Sequence, residues 1–295
     1  MEIYRFGFSA MGSRCEIVLS SSRKKEAHSI AALGIKEVKR IEYKYSRYRP
    51  DSLISRINAA AGVDFVECDE ETVSLFQYAD TLYETSGGLF DITSGVMRHA
   101  WDFSKPEVPE EESLFPILNL IGWDRVERQG STIRLPASGM QIDFGGIGKE
   151  YAADRAATIL HSKGGRYGYV NLGGDIRAIG PKPDGKPWSI GIQDPRNKER
   201  MIASIPLYSG ALATSGDYER YFEVDGRRYC HIINPKTGYP VMEWQSVTIL
   251  APLAITAGSC STIAMLKESD GLTFLENSCM RYLAIDRRGK IFHKN

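Results

Sequence analysis

The chain carries no surplus of charge of either sign: 37 Lys and Arg are matched by 37 Asp and Glu. That balance argues against a dominant role on nucleic acid or on an anionic membrane surface, and leaves room only for a local basic patch. No apolar run reaches the ~18 residues that a membrane helix needs. The opening stretch, MEIYRFGFSAMGSRCEIVL, has neither a basic start nor an unbroken apolar segment. It reads as a strand, not as a signal peptide or lipoprotein leader. Five cysteines (Cys15, Cys68, Cys230, Cys260, Cys279) are scattered with no C-x-x-C pair. An odd count without metal spacing points to reduced thiols and a cytoplasmic location. Internal repeats, low-complexity segments and a clear linker are also missing, so residues 1–295 read as one domain.

What is present is an ordinary globular composition, 42% apolar and 25% charged over 295 residues, enough chain to bury a sizeable core. Residues 3–20 read as a strand pair broken near Ala10-Met11-Gly12-Ser13. Residues 23–45 and 70–86 have the spacing of amphipathic helices, the second stopped by Gly87-Gly88. Ser52 after Pro50-Asp51 is placed to cap a short helix. LFDITSGVM reads as extended and residues 104–113 as an exposed Pro- and Glu-rich loop. The second half alternates short strands with turns, includes a hairpin over 218–241 about Asp225-Gly226, and carries one more helical pattern at 255–268. The fold class is therefore α+β, mixed sheets with helices packed outside, with two lobes joined through residues 142–160.

The stretch IDFGGIGKEYAADR (142–155) organises the rest. It reads as the end of a buried strand (Ile142, Phe144), a glycine turn (Gly145, Gly146, Gly148) and a helix from about Lys149 to Ile159. Glycines let backbone approach a ligand closely, and a helix start offers unpaired N–H groups to a phosphate or pyrophosphate. Three further clusters follow the same polar-glycine theme: GGLFD (87–91), NLGGD (171–175) and TSGDYERYF with YCHIINPKTG (214–238). Singly each is weak. Phe90 suits a core position as readily as a stacking one, Asp91 suits a turn, Gly-Gly is common in turns, and a strand histidine such as His231 is more often structural than catalytic.

Taken in order, MGS, YRPDSLISRIN, TSGGLFD, IDFGGIGKEYAADRA, VNLGGDI, ALATSGDYERYF and HIINPKTGYPV resemble the ApbE-type flavin transferases, the FAD:protein FMN transferases, over about residues 4 to 290. The resemblance implies a T-fold-like body with FAD in a cleft between lobes. It implies FAD contacts at Met11, Tyr48, Leu89, Phe90, Asp91, Asp143, Lys149, His231 and Ile232. It implies transfer of FMN from FAD to a Thr or Ser hydroxyl of a partner flavoprotein, with release of AMP and with Mg²⁺ on the pyrophosphate. Asp143 and His231 would then orient the pyrophosphate and deprotonate the acceptor, and Lys149 would steady phosphate charge. The metal would be held near the Gly146 carbonyl and by the helix start carrying Ser261 and Thr262.

One position breaks the pattern. The last motif should read roughly A-D-A-x-(S/D)-T-A, and here it is Ala257-Gly258-Ser259-Cys260-Ser261-Thr262-Ile263. An Asp four residues before Thr262 would share its helix face and could hold one ion with it. With Gly258 there, only hydroxyls and a carbonyl remain, unless Asp143 or another carboxylate serves. The departure opens two further readings, a flavin binder without transfer and an FAD pyrophosphatase. It also sets an expectation: Gly258→Asp raises magnesium-dependent turnover.

Overall fold

Residues 1–294 are described by a computed structural model. Its frame is an eight-stranded sheet in the order Glu2–Ala10, Ser13–Ser21, Gly168–Leu172, Asp175–Gly180, Ala211–Gly216, Trp244–Ala251, Arg281–Asp286 and Ile291–Lys294. Sheet order follows chain order, and every neighbouring pair is antiparallel. Side chains alternate across the sheet. Along Ser13–Ser21, Ile17 and Leu19 enter the main core, while Val18 enters a second one on the opposite face. The hairpin Trp188–Asp194 and Asn197–Leu207 closes that second core through Trp188, Ile190, Ile192 and Leu207.

The α-helices are α1 (Lys24–Tyr45), α2 (Leu53–Ala59), α3 (Glu70–Ser86), α4 (Glu111–Leu118), α5 (Gly148–Ser162), α6 (Ala254–Leu266) and α7 (Gly271–Asn277). The α+β reading with outer helices holds: α1, α5 and α6 pack on the sheet, and α5 packs on α6. The helix signals at 23–45 and 70–86 are matched nearly to the residue. Ser52 caps α2 by accepting from the Ser55 N–H at 3.0 Å. Gly87 ends α3 in the left-handed conformation (φ 69°) that glycine adopts without strain.

Three local expectations fail. Ile142 and Phe144 lie in no strand; the Asn58 side chain instead satisfies both backbone groups of Ile142, at 2.7 and 3.0 Å. LFDITSGVM is not extended. The Asp91 carboxylate accepts from the Thr93 N–H at 2.7 Å and starts a 3-10 helix at Ile92–His99. The acidic loop at 104–113 ends in α4, whose Leu114, Ile117 and Leu118 pack into a cluster around Trp101.

Candidate functional site

Two glycine turns and one strand end share one end of the large sheet. Met11 and Gly12 join the first two strands, both with positive φ (52° and 68°), the two-residue turn that suits twisted strands. The Met11 N–H donates to the Glu42 carboxylate. Gly173 and Gly174 join Gly168–Leu172 to Asp175–Gly180, and the Gly173 N–H donates to Arg14 O at 3.2 Å. At the same end, Ala211–Gly216 brings Ser215 to α6, its Oγ 2.7 Å from Ser261 Oγ and 3.0 Å from Thr262 Oγ1.

The start of α5 is delivered from the other side. The Asp143 N–H donates to Ile92 O at 2.8 Å. The Asp143 carboxylate accepts from the Gly145 N–H at 2.9 Å and pairs with Arg47 at 2.8 Å. A Cβ on Gly146 would lie 2.9 Å from Phe90 Cζ, so the aromatic ring under the turn requires glycine above it. Ile147 occupies the N-cap and supplies no side-chain acceptor. The Gly148 N–H donates to Phe144 O at 2.7 Å and the Tyr151 N–H to Ile147 O at 2.9 Å, so the backbone donor that the α5 start leaves for an anion is the Lys149 N–H.

Two residues of that first turn tie the site together. Lys149 Nζ meets Asp175 Oδ2 at 2.6 Å, which joins the α5 start to the Gly173-Gly174 turn. Burial opposes the Lys149 charge, but Asp175, with Glu150 behind it, holds the ammonium above its ordinary range. Glu150 points the other way, to α6, and is only 6% exposed. A Cβ on Gly258 would stand 2.6 Å from Glu150 Oε1 and from its Cγ. Glu150 Oε2 is buried and has no hydrogen-bond partner. Burial first, then the Asp175 charge, push its carboxyl well above the usual carboxylate range. One turn further along α5, Asp154 caps α6, accepting from the Ala254 and Ile255 N–H groups at 2.9 and 3.0 Å. Going up α5 from Glu150 to Asp154 thus means going down α6 from Gly258 to Ala254.

The predicted site residues fall into three groups. Met11, Lys149, Ser261 and Thr262 lie at this end of the sheet, and Arg220 links His231 to it. The His231 N–H donates to Arg220 O at 3.0 Å, and Arg220 reaches toward Gly12. His231 is exposed as a residue, with its backbone pinned to Arg220. Desolvation, then the charges of Arg220 and Lys149, pull its imidazolium down to about 4. Tyr48 is 72% exposed and lies against the Arg47 guanidinium, 5.2 Å from the ring centroid, at the rim beside Asp143. Leu89 is half-buried against the main core.

Phe90, Asp91 and Ile232 have other work. Phe90 is 6% exposed and supports Gly146 from below, so it offers no face for stacking on a flavin. Asp91 is buried, and its oxygens already accept from Thr93 N–H, Thr93 Oγ1 and Trp123 N–H. Ile232 is buried in the main core and bonds through its carbonyl to the Val241 N–H. Asp143 is committed to Arg47 and Gly145, and the side chain that stands over Gly258 is Glu150. An aspartate at position 258 would extend into the space that Glu150 now fills, so Gly258→Asp requires Glu150 to move.

Sequence reasoning passed over Arg47, Glu150, Asp154 and Ser215 as site residues. A signal for two of them was present: Glu150 and Asp154, four apart, place two acids on one face of α5, and that face is buried.

A sequence model described as the ApbE family matches residues 11–284. The FAD:protein FMN transferase of Haemophilus influenzae is 32% identical over 281 residues, 90% of this chain and 80% of the relative. The ApbE protein of Thermotoga maritima superposes with a TM-score of 0.92 at 37% identity, covering 100% of this chain and 97% of that one. The flavin transferase ApbE of Vibrio cholerae superposes with a TM-score of 0.85 at 28% identity, covering 100% and 97%.

Proposed function

The chain belongs to the ApbE family, and from that premise we propose that it moves FMN from FAD to a threonine or serine hydroxyl of a partner flavoprotein and releases AMP. One observation carries the reading: the uncapped start of α5, with Lys149 on it, opens between two glycine turns and toward the hydroxyls of Ser215, Ser261 and Thr262. That arrangement suits a diphosphate. The Lys149 backbone N–H and the Lys149 ammonium hold its charge, and glycine lets the phosphates approach the main chain.

In the reaction the acceptor oxygen forms a bond to the FMN phosphorus, the phosphoanhydride bond breaks, and the electron pair leaves on AMP. The hydroxyl proton needs an acceptor. His231 is the group at hand, because desolvation and its cationic neighbours keep the imidazole neutral near pH 7. Arg47 holds Asp143 and so fixes the shape of the turn above Phe90. Magnesium, when bound, supplies charge neutralisation on the transferring phosphoryl group.

The residues present fit such an ion. Among the described residues no cluster of three or more His, Cys, Asp or Glu side chains could hold a metal alone. Mg²⁺ asks for less: hard oxygens, one or two carboxylates and the substrate's own phosphates. Thr262, Ser261 and the Gly146 carbonyl offer the first kind, and the unpartnered Glu150 oxygen the second. The reading as a flavin binder without transfer rested on the carboxylate missing at 258. A carboxylate at that very place removes its motive.

The test is incubation with FAD, Mg²⁺ and a flavoprotein acceptor, read as flavin fluorescence on the denatured acceptor and as AMP by chromatography. Covalent flavin with equimolar AMP supports transfer. AMP and free FMN without labelled acceptor would replace it with pyrophosphatase activity.

A further inference from the structure

We propose that Glu150 is the carboxylate ligand of the magnesium site in this chain, reaching from α5 into the place that an aspartate at position 258 would hold from α6. The inference rests on the transfer reading above and goes beyond it by assigning the ligand.

The geometry leaves little room for another role. Side chains four apart on a helix share a face, so whatever stands on residue 258 stands with Thr262. Ser261 Oγ donates to Gly258 O at 2.9 Å and meets Ser215 on its other side. The space over Gly258 therefore opens on the hydroxyl cluster. Glu150 fills that space: its Cγ, Cδ and Oε1 lie 2.6, 2.9 and 2.6 Å from where a Cβ on residue 258 would be. A side chain at 258 can enter that space only if Glu150 moves out of it.

The placement is not incidental to packing. Asp154, one turn along, locks the helix register by capping α6 with two backbone N–H bonds. Arg177 holds Asp154 from the far side at 3.1 Å. With that pin in place, Glu150 cannot slide past Gly258.

Glu150 also has what a filler would not. A hydrocarbon would occupy the gap at no polar cost, whereas a buried carboxyl oxygen without a hydrogen-bond partner is expensive whether or not the group is protonated. Oε2 is such an atom. The acids nearby are committed: Asp143 to Arg47, Asp175 to Lys149 and Asp154 to the α6 backbone. Among the described residues Glu150 Oε2 is the one fully buried carboxylate oxygen without a hydrogen-bond partner.

The experiment measures Mn²⁺, a paramagnetic stand-in for Mg²⁺, by electron paramagnetic resonance in the presence of FAD, with flavin binding followed separately by fluorescence quenching. Glu150→Gln keeps the shape and removes the charge. It is expected to bind FAD as the parent does and to lose Mn²⁺ affinity by at least about tenfold. Glu150→Gly combined with Gly258→Asp returns a carboxylate to the same space from α6, and is expected to recover Mn²⁺ binding. Glu150→Gln with FAD and Mn²⁺ affinity both unchanged would overturn the assignment while leaving the transfer reading intact. Should the Gln variant melt early, the double variant decides: recovered Mn²⁺ binding supports the exchange, and its absence in a folded, FAD-binding protein sinks it. A parent chain that binds FAD but no Mn²⁺ would overturn the metal-dependent reaction itself, and the ligand assignment with it.

Discussion

Oε1 of Glu150 lies 2.6 Å from the position a Cβ on Gly258 would take. The two residues occupy one space from two helices, and several consequences follow from it.

Gly258→Asp alone is expected to destabilise. It overpacks a closed site, a change that costs about 1–3 kcal/mol, and sets a second carboxylate against a buried one. Thermal unfolding at pH 7 should show a lowered midpoint, and Gly258→Ala a smaller drop in the same direction. A midpoint at or above that of the parent chain would show that Glu150 swings aside freely.

Asp154→Ala removes the cap of α6 and strands the Arg177 guanidinium against the sheet. Cap loss alone costs about 1–2 kcal/mol; the unpaired cation adds to it. Urea unfolding checks the loss. Asp154→Asn keeps one acceptor and should recover part of it.

His231 is expected to stay neutral well below the ordinary histidine range. An imidazole carbon resonance, assigned through His231→Asn, should titrate near 4 instead of 6.5. The sign for stability follows. The unfolded chain takes up this proton first as pH falls, so the contribution is complete above 6.5 and is lost between 6.5 and about 4. His231→Asn should therefore flatten the pH dependence of the urea midpoint across that window.

Phe90→Leu should leave the absorbance band of bound flavin where it is, because the ring lies beneath Gly146 and does not meet the ligand. Its cost is packing: a smaller, differently shaped side chain in the core lowers stability by about 1–2 kcal/mol. A shifted flavin band with unchanged stability would return Phe90 to the cleft.

Lys149→Met leaves Asp175 buried without its cation. Breaking a buried pair from one side costs about 3–5 kcal/mol, and the partly exposed lysine places this case at the lower end. FAD affinity, followed by fluorescence quenching, should fall together with stability.

Much of this was legible in the residues. The amphipathic spacing of α1 and α3, the Ser52 cap and the hairpin glycines are local properties, set within a few residues of chain. The ordered strings around the glycine turns were long enough to single out the family. Burial was less legible. Phe90 and Asp91 sit in a polar-glycine string that suggests a ligand, and only the packed core shows them turned inward beneath the turn and onto Thr93 and Trp123.

By itself the sequence determined which elements form, which faces they bury, and that position 258 lacks its carboxylate. Helical periodicity puts Glu150 and Asp154 on one buried face of α5, but periodicity does not name what that face meets. That was decided only when α5 and α6 packed with Asp154 on the α6 N-terminus, because a cap bonded to two backbone N–H groups sets the sliding register between helices. The same register carries Glu150 onto Gly258, so the missing carboxylate and its replacement become visible together only in three dimensions.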